Sequence, residues 1–174
     1  RFVAGHSCPT GPMIIFQSSP GVMTSQNSIY DQLVEIVRAR AGDKLDQFLI
    51  PPPIFTDMQG EIISFDIDQK SLRTRFPVQE RYQNPYRAMQ GGMIAAAVDN
   101  TLGPLSLLVA PPNVTRRLEL TYSRPVTLDM AYIEVTARLV ESQDRRLIFH
   151  ADLTSPQGER LARARAEHWI VEVH

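Results

Sequence analysis

Only one cysteine, Cys8, stands among the 174 residues, so the chain cannot close a disulfide on itself and offers no thiolate cluster for a structural zinc. Nothing in it demands an oxidising compartment, and a reducing cytoplasm is the expected location. An excess of one charge is missing too: 18 Lys and Arg face 19 Asp and Glu, for a net charge of −1. A dedicated binder of nucleic acid or of an anionic membrane carries a basic excess, so neither is expected as a partner. The chain also lacks an unbroken apolar run of membrane-spanning length. Gly91 to Ala110 is long enough, but Asp99, Asn100, Gly103 and Pro104 interrupt it, and those residues are costly against lipid. It reads as a helix buried in protein.

There is no internal repeat, and the length suits one domain with a sizeable core. Residues 1–27 are rich in Gly, Ser and Pro, and their apolar patch, Met13 to Phe16, is too short for a signal-peptide core. They are expected to form a weakly ordered tail, with residues 28–174 as the single domain. Ser28 to Ala41 reads as a helix: Ser28 with Asp31 approximates a capping box, Ile29, Leu33, Ile36 and Val37 make an apolar stripe, and Gly42 is a stop. Three prolines, 51–53, are expected to carry the chain on in extended form.

Glu61–Ile67 and Leu72–Val78 read as a hairpin turning at Asp68-Gln69-Lys70. After the apolar helix, alternation marks further strands. Val114, Arg116, Leu118, Leu120 and Tyr122 share one face, opposite Thr115, Arg117, Glu119, Thr121 and Ser123. Ile133, Val135, Ala137 and Leu139 share a face of the next, and Leu147, Phe149, Ala151 and Leu153 of the one after. In the last strand Ala162, Ala164 and Ala166 line one face, a row small enough to let a helix approach. His150 is expected on a strand surface and Trp169 in packing. The order of elements predicts an α+β domain in which a curved antiparallel sheet wraps around a long central helix.

The chemistry concentrates in "NPYRAMQGGMIAAAVDNTLG", residues 84–103. Gly91 and Gly92 open the helix, where the first amides have no intrahelical acceptor and the dipole favours a developing oxyanion. Asp99 is a lone carboxylate among Ala95, Ala96, Val98 and Leu102, in a run that reads as buried; it either caps or pairs with a neighbouring element, reaches solvent at an interface, or is a base or nucleophile tuned by its position. Gly91 and Asp99 are eight residues apart, roughly 12 Å along a helix. Both must approach one reacting carbonyl, so joint action requires two copies about a two-fold axis, each giving one group. Pro104 is expected to kink the helix or end its regular part near Gly103.

Asn84-Pro85, then Gln90-Gly91-Gly92, then "MIAAAV" and Asp99, with the later "LELTYSRPV", resemble the hotdog-fold acyl-CoA thioesterases. The likeness is to the branch containing the phenylacetic-acid-pathway and 4-hydroxybenzoyl-CoA thioesterases, and it covers Gly60 to Val173. It implies that Asp99 attacks the thioester carbonyl or activates water, that the Gly91 amide stabilises the oxyanion, and that Asn84 orients the carboxylate or the water. It also implies a homodimer or homotetramer with shared sites, coenzyme A present as part of the substrate, and no metal or redox cofactor. Gln90 stands where most relatives carry His; it can donate and accept hydrogen bonds but cannot shuttle a proton. The four histidines, His6, His150, His168 and His174, lie outside the motif. Gly92 belongs with the substrate-binding backbone, and Arg124, Arg145 and Arg146 are candidates for the phosphates of coenzyme A. The competing reading is a hotdog protein that binds acyl-CoA or a fatty acyl group without hydrolysing it. A hotdog dehydratase or hydratase is weaker, for want of a histidine at the helix entrance.

Overall fold

The structure is a computed structural model that describes residues 25–41 and 49–172. Most of the expected tail, with Cys8, His6 and the patch Met13 to Phe16, lies outside the described residues, as do Gly42 and His174. The elements run α1 (Ser25–Ala41), α2 (Pro53–Asp57), β1 (Glu61–Asp66), β2 (Ser71–Pro77), a 3-10 turn (Glu80–Tyr82), α3 (Gly91–Val109), β3 (Asn113–Tyr122), β4 (Tyr132–Gln143), β5 (Arg146–Thr154) and β6 (Arg160–Ile170).

Two expectations at the N-terminal side need correction. α1 begins at Ser25 rather than Ser28. The prolines also do not stay extended throughout. Pro53 opens the short helix α2, because a proline at the first helical position loses no hydrogen bond and brings a helical φ with it. The hairpin turn forms where it was expected: Lys70 takes φ 49°, and the Gln69 amide donates to Asp66 Oδ1 at 2.9 Å.

Six antiparallel strands form one sheet in the order β1-β2-β4-β5-β6-β3. The strand that follows α3 therefore crosses to the far edge, beside the last strand. Ile133, Val135 and Ala137 of β4, with Phe149, Ala151 and Leu153 of β5, are buried on the helix side, as alternation requires. His150 is exposed on the other face. Trp169 is exposed as well, against expectation: it follows the buried His168 on the strand and so points outward, where its indole N–H donates to Glu167 at 2.8 Å.

α3 packs mainly on β4 and β2. Small residues receive it there. Ala137 is fully buried, and Thr74 of β2 lies 2.6 Å from Thr101 of the helix. Thr101 donates its own proton to the Ala97 carbonyl at 2.8 Å, so Thr74 is the donor in the pair and both buried hydroxyls are satisfied. The alanine row of β6 is buried in the same core, although β6 is not the helix's main support. By length and composition α3 could cross a membrane, but here its inner face is the core of the domain. It also continues past Pro104 to Val109, so the proline does not end it near Gly103. The residue before the proline is Gly103, which has no Cβ to collide with the ring, so the helical conformation survives.

Candidate active site

The entrance to α3 is built by a turn. Asn84 Oδ1 accepts the backbone N–H groups of Tyr86 and Ala88 at 2.9 and 3.2 Å, and Asn84's own N–H donates to the Ala88 carbonyl at 2.7 Å. The turn delivers Gln90 in an extended conformation (φ −54°, ψ 133°), where its carbonyl accepts the amides of Met93 and Ile94. Its side chain caps nothing. The amides of Gly91 and Gly92 come next, at the positive end of the helix, with no acceptor one turn back. Tyr122, the last residue of β3, donates its hydroxyl to the Gly91 carbonyl at 2.9 Å, and its ring would lie 3.4 Å from a Cβ at that position. At the exposed Gly92 a Cβ would meet nothing within 4 Å. Asn84, Gly91, Tyr122 and Arg124 line one cleft of about 360 Å³.

Asp99 stands elsewhere. It is exposed in the single chain rather than buried, because Gly92, Ala96 and Asp99 lie along the helix face turned away from the sheet. Thr115 near the start of β3 places its Oγ1 3.1 Å from Asp99 Oδ1 and 3.2 Å from His168 Nε2. His168 Nδ1 lies 2.8 Å from Asn113 Oδ1, and Asn113 Nδ2 donates to the Pro111 carbonyl at 2.8 Å. That last bond settles the others. With its NH2 group committed to Pro111, Asn113 presents only oxygen to the imidazole, so Nδ1 carries the ring proton. A neutral His168 then has a lone pair at Nε2, and Thr115 has one proton for two acceptors, His168 and Asp99.

His168 is buried at 2% exposure, its ring 4.7 Å from that of Phe149. Burial holds its pKa below the usual 6.5, with the Asp99 charge partly opposing. The unfolded chain therefore takes up a proton more readily than the folded one. This histidine's contribution to stability is full above about pH 6.5 and declines as pH falls below it. We expect thermal melts between pH 7.5 and 5.5 to show a smaller loss of stability in His168→Gln than in the wild type; equal slopes would contradict a neutral buried His168.

Neither Thr115 nor His168 stood out in the sequence. His168 continues the alternation of Ala162, Ala164 and Ala166, so its inward direction was readable. That of Thr115 was not. β3 pairs Thr115 with His168, Arg117 with Glu167 and Leu118 with Ala166, which leaves Arg116 as an extra residue in a bulge. Strict alternation puts Thr115 on the outer face; the bulge shifts the phase by one and turns it toward Asp99.

The arginines divide between the two ends of β3. Arg124 lies at the Gly91 end, exposed, 3.5 Å from Glu159. Arg145 and Arg146 occupy the β4–β5 turn at the opposite end, where Arg145 donates to the Ile170 carbonyl at 2.9 Å and Arg146 meets Glu167 at 3.0 Å. Within one chain, then, Asn84, Gly91 and Arg124 come together, while Asp99 sits with Thr115, His168 and Asn113. Among the described residues no three His, Cys, Asp or Glu side chains group as metal ligands.

No protein-family model and no curated protein matches the sequence. Solved structures do resemble the fold. The Escherichia coli PaaI protein of the phenylacetic acid degradation operon aligns with a TM-score of 0.66 at 14% identity, over 80% of this chain and 96% of that one. A Streptococcus mutans protein bound to acetyl CoA aligns at 0.60 and 18% identity, over 64% and 88%. A hypothetical thioesterase of Streptococcus pneumoniae aligns at 0.60 and 16%, over 66% and 92%. At such identities the likeness is one of architecture, and the architecture is plain: this chain has the hotdog fold, a long helix held in a curved antiparallel sheet.

Proposed function

We propose that the protein hydrolyses acyl-CoA thioesters to a carboxylic acid and free coenzyme A, using Asp99 of one copy and the Gly91 amide of a second. The observation that carries this reading is that both groups are tied to β3, at opposite ends: Gly91 through Tyr122 and Asp99 through Thr115. β3 is an edge strand. Two copies joined antiparallel along that edge bring the Tyr122 end of one to the Thr115 end of the other. The uncovered helix face offers little bulk against a partner, since Gly92, Ala95 and Ala96 lead to Asp99. The same pairing sets the Arg124 end of one copy near the Arg145 and Arg146 end of its mate, a basic rim suited to the phosphates of coenzyme A.

In this arrangement the Gly91 N–H receives the thioester oxygen as it gains charge. Asp99 serves as general base. Thr115 donates to Asp99 Oδ1 and holds the carboxylate in place, and the other carboxylate oxygen takes a proton from water. The water oxygen then bonds to the carbonyl carbon, the C–S bond breaks, and the leaving thiolate takes the proton held by Asp99, which restores the carboxylate. Asn84 holds the turn that sets the Gly91 amide. Gln90, with no cap to make, is available to the thioester as a hydrogen-bond donor. The fold likeness to a protein bound to acetyl CoA supports a CoA thioester as the ligand.

The test is thiol release from a panel of acyl-CoAs. Release is expected from the wild type, and Thr115→Val should lower kcat by about ten- to a hundredfold, the worth of one hydrogen bond to a charged group. Acyl-CoA binding without any thiol release would instead support the non-hydrolysing carrier.

A further inference from the structure

A pocket of about 380 Å³ opens beside Asp99, between α1, the segment 49–55 and α3. We propose that it holds the acyl group of the substrate, as an aliphatic chain of medium length. This rests on the thioesterase reading and adds where, and how long, the acyl group is.

The walls are mostly hydrocarbon. Leu33 and Val37 of α1, Phe55 of α2, Ile62 of β1 and Leu107 of α3 face the space, with Asp99 and Asn113 at one side. The exposed Leu49 and Ile54 also line it, with Tyr30, Asn100 and Ser106 as further polar positions. Its volume lies within the range of pockets that take small ligands. At about 30 Å³ per water-sized group, it admits roughly a dozen carbons.

Helix geometry gives the direction of the chain. The reacting carbonyl must sit at Asp99. Gly103 and Leu107 follow at i+4 and i+8, on the same face of α3, and both line the pocket. They carry that face roughly 12 Å beyond the carboxylate. Gly103 is the decisive position: a Cβ built there meets nothing within 4 Å. The helix thus leaves a gap one turn past the carboxylate, in the path of any acyl chain leaving Asp99. α1 acquires a role by the same geometry, as the far wall of the acyl site.

Leu107→Trp fills the space from the next turn of the helix and leaves Gly103, whose missing Cβ admits Pro104, in place. The measurement is the ratio of kcat/KM for decanoyl-CoA to that for acetyl-CoA, in wild type and variant. A fall in the ratio of tenfold or more is expected; an unchanged ratio overturns the pocket while leaving the hydrolase intact. Should the tryptophan variant not fold, Leu107→Phe gives a smaller fall of the same sign. If the wild type releases no thiol from either substrate, the hydrolase reading fails separately, and calorimetry with decanoyl-CoA decides the pocket. Binding weakened tenfold or more by Leu107→Trp then supports it, and equal or absent binding overturns it.

Discussion

Co-expressed Asp99→Asn and Gly91→Pro chains are expected to recover about a quarter of wild-type thiol release, although each variant alone falls by a hundredfold or more. The two substitutions remove one chemical function each. Asparagine keeps the size of Asp99 but cannot accept a proton as a base. Proline at position 91 deletes the amide hydrogen and little else: it is the first residue of α3, where proline is favoured, and Gln90 before it already has the extended conformation that precedes a proline. The added ring must displace Tyr122 slightly, since a Cβ there stands 3.4 Å from it. When the two chains pair at random, half of the dimers are mixed. In each mixed dimer one site holds both defects and the other holds none. A site confined to a single chain would gain nothing from mixing, because every chain carries a defect. Recovery therefore reports on a shared site, and its absence, with dimers formed and both parents inactive, would falsify the two-fold arrangement.

Phe149→Ala should cost about 4 kcal/mol of stability, a large part of the 5–15 kcal/mol typical of a domain. Phe149 is fully buried at the middle of β5, opposite Leu139 of β4 and Ala166 of β6. With alanine on one side of it, the sheet has nothing large nearby to collapse into the vacated space, so a cavity remains. The ring is also the apolar neighbour of His168, at 4.7 Å between centroids. Removing it admits water beside the imidazole and weakens the burial that keeps His168 neutral. A lowered urea midpoint at unchanged slope measures the first effect. His150→Ala, one position along on the exposed face, should move the midpoint by no more than about 0.5 kcal/mol equivalent. Similar midpoints for the two variants would mean that β5 does not carry the core.

Local rules were enough for most of the architecture. The period-two alternation of β4 and β5 and the glycine start of α3 are properties of neighbouring residues, and each held in the folded chain. So did the turn at Asp68–Lys70. Of the failures, the one at Pro104 is itself local, and the others come from tertiary packing. Pro104 did not end α3 because the residue before it is glycine. Asp99 is not buried, because its helix face is turned away from the sheet, and which face that is depends on the packing of α3 against β2 and β4. Thr115 and His168 escaped notice because they meet across strands that lie far apart in the sequence.

The order of elements, the central helix and the positions of Gly91 and Asp99 within it were legible in the chain alone, since they rest on spacing along one segment. The company that those two residues keep was not. A single extra residue, Arg116, reverses the direction of Thr115, and no alternation pattern announces where a bulge will fall. The crossing of β3 to the sheet edge then places Gly91 and Asp99 at opposite ends of one free strand. Those are consequences of long-range pairing, whose energy depends on partners that the local sequence does not contain.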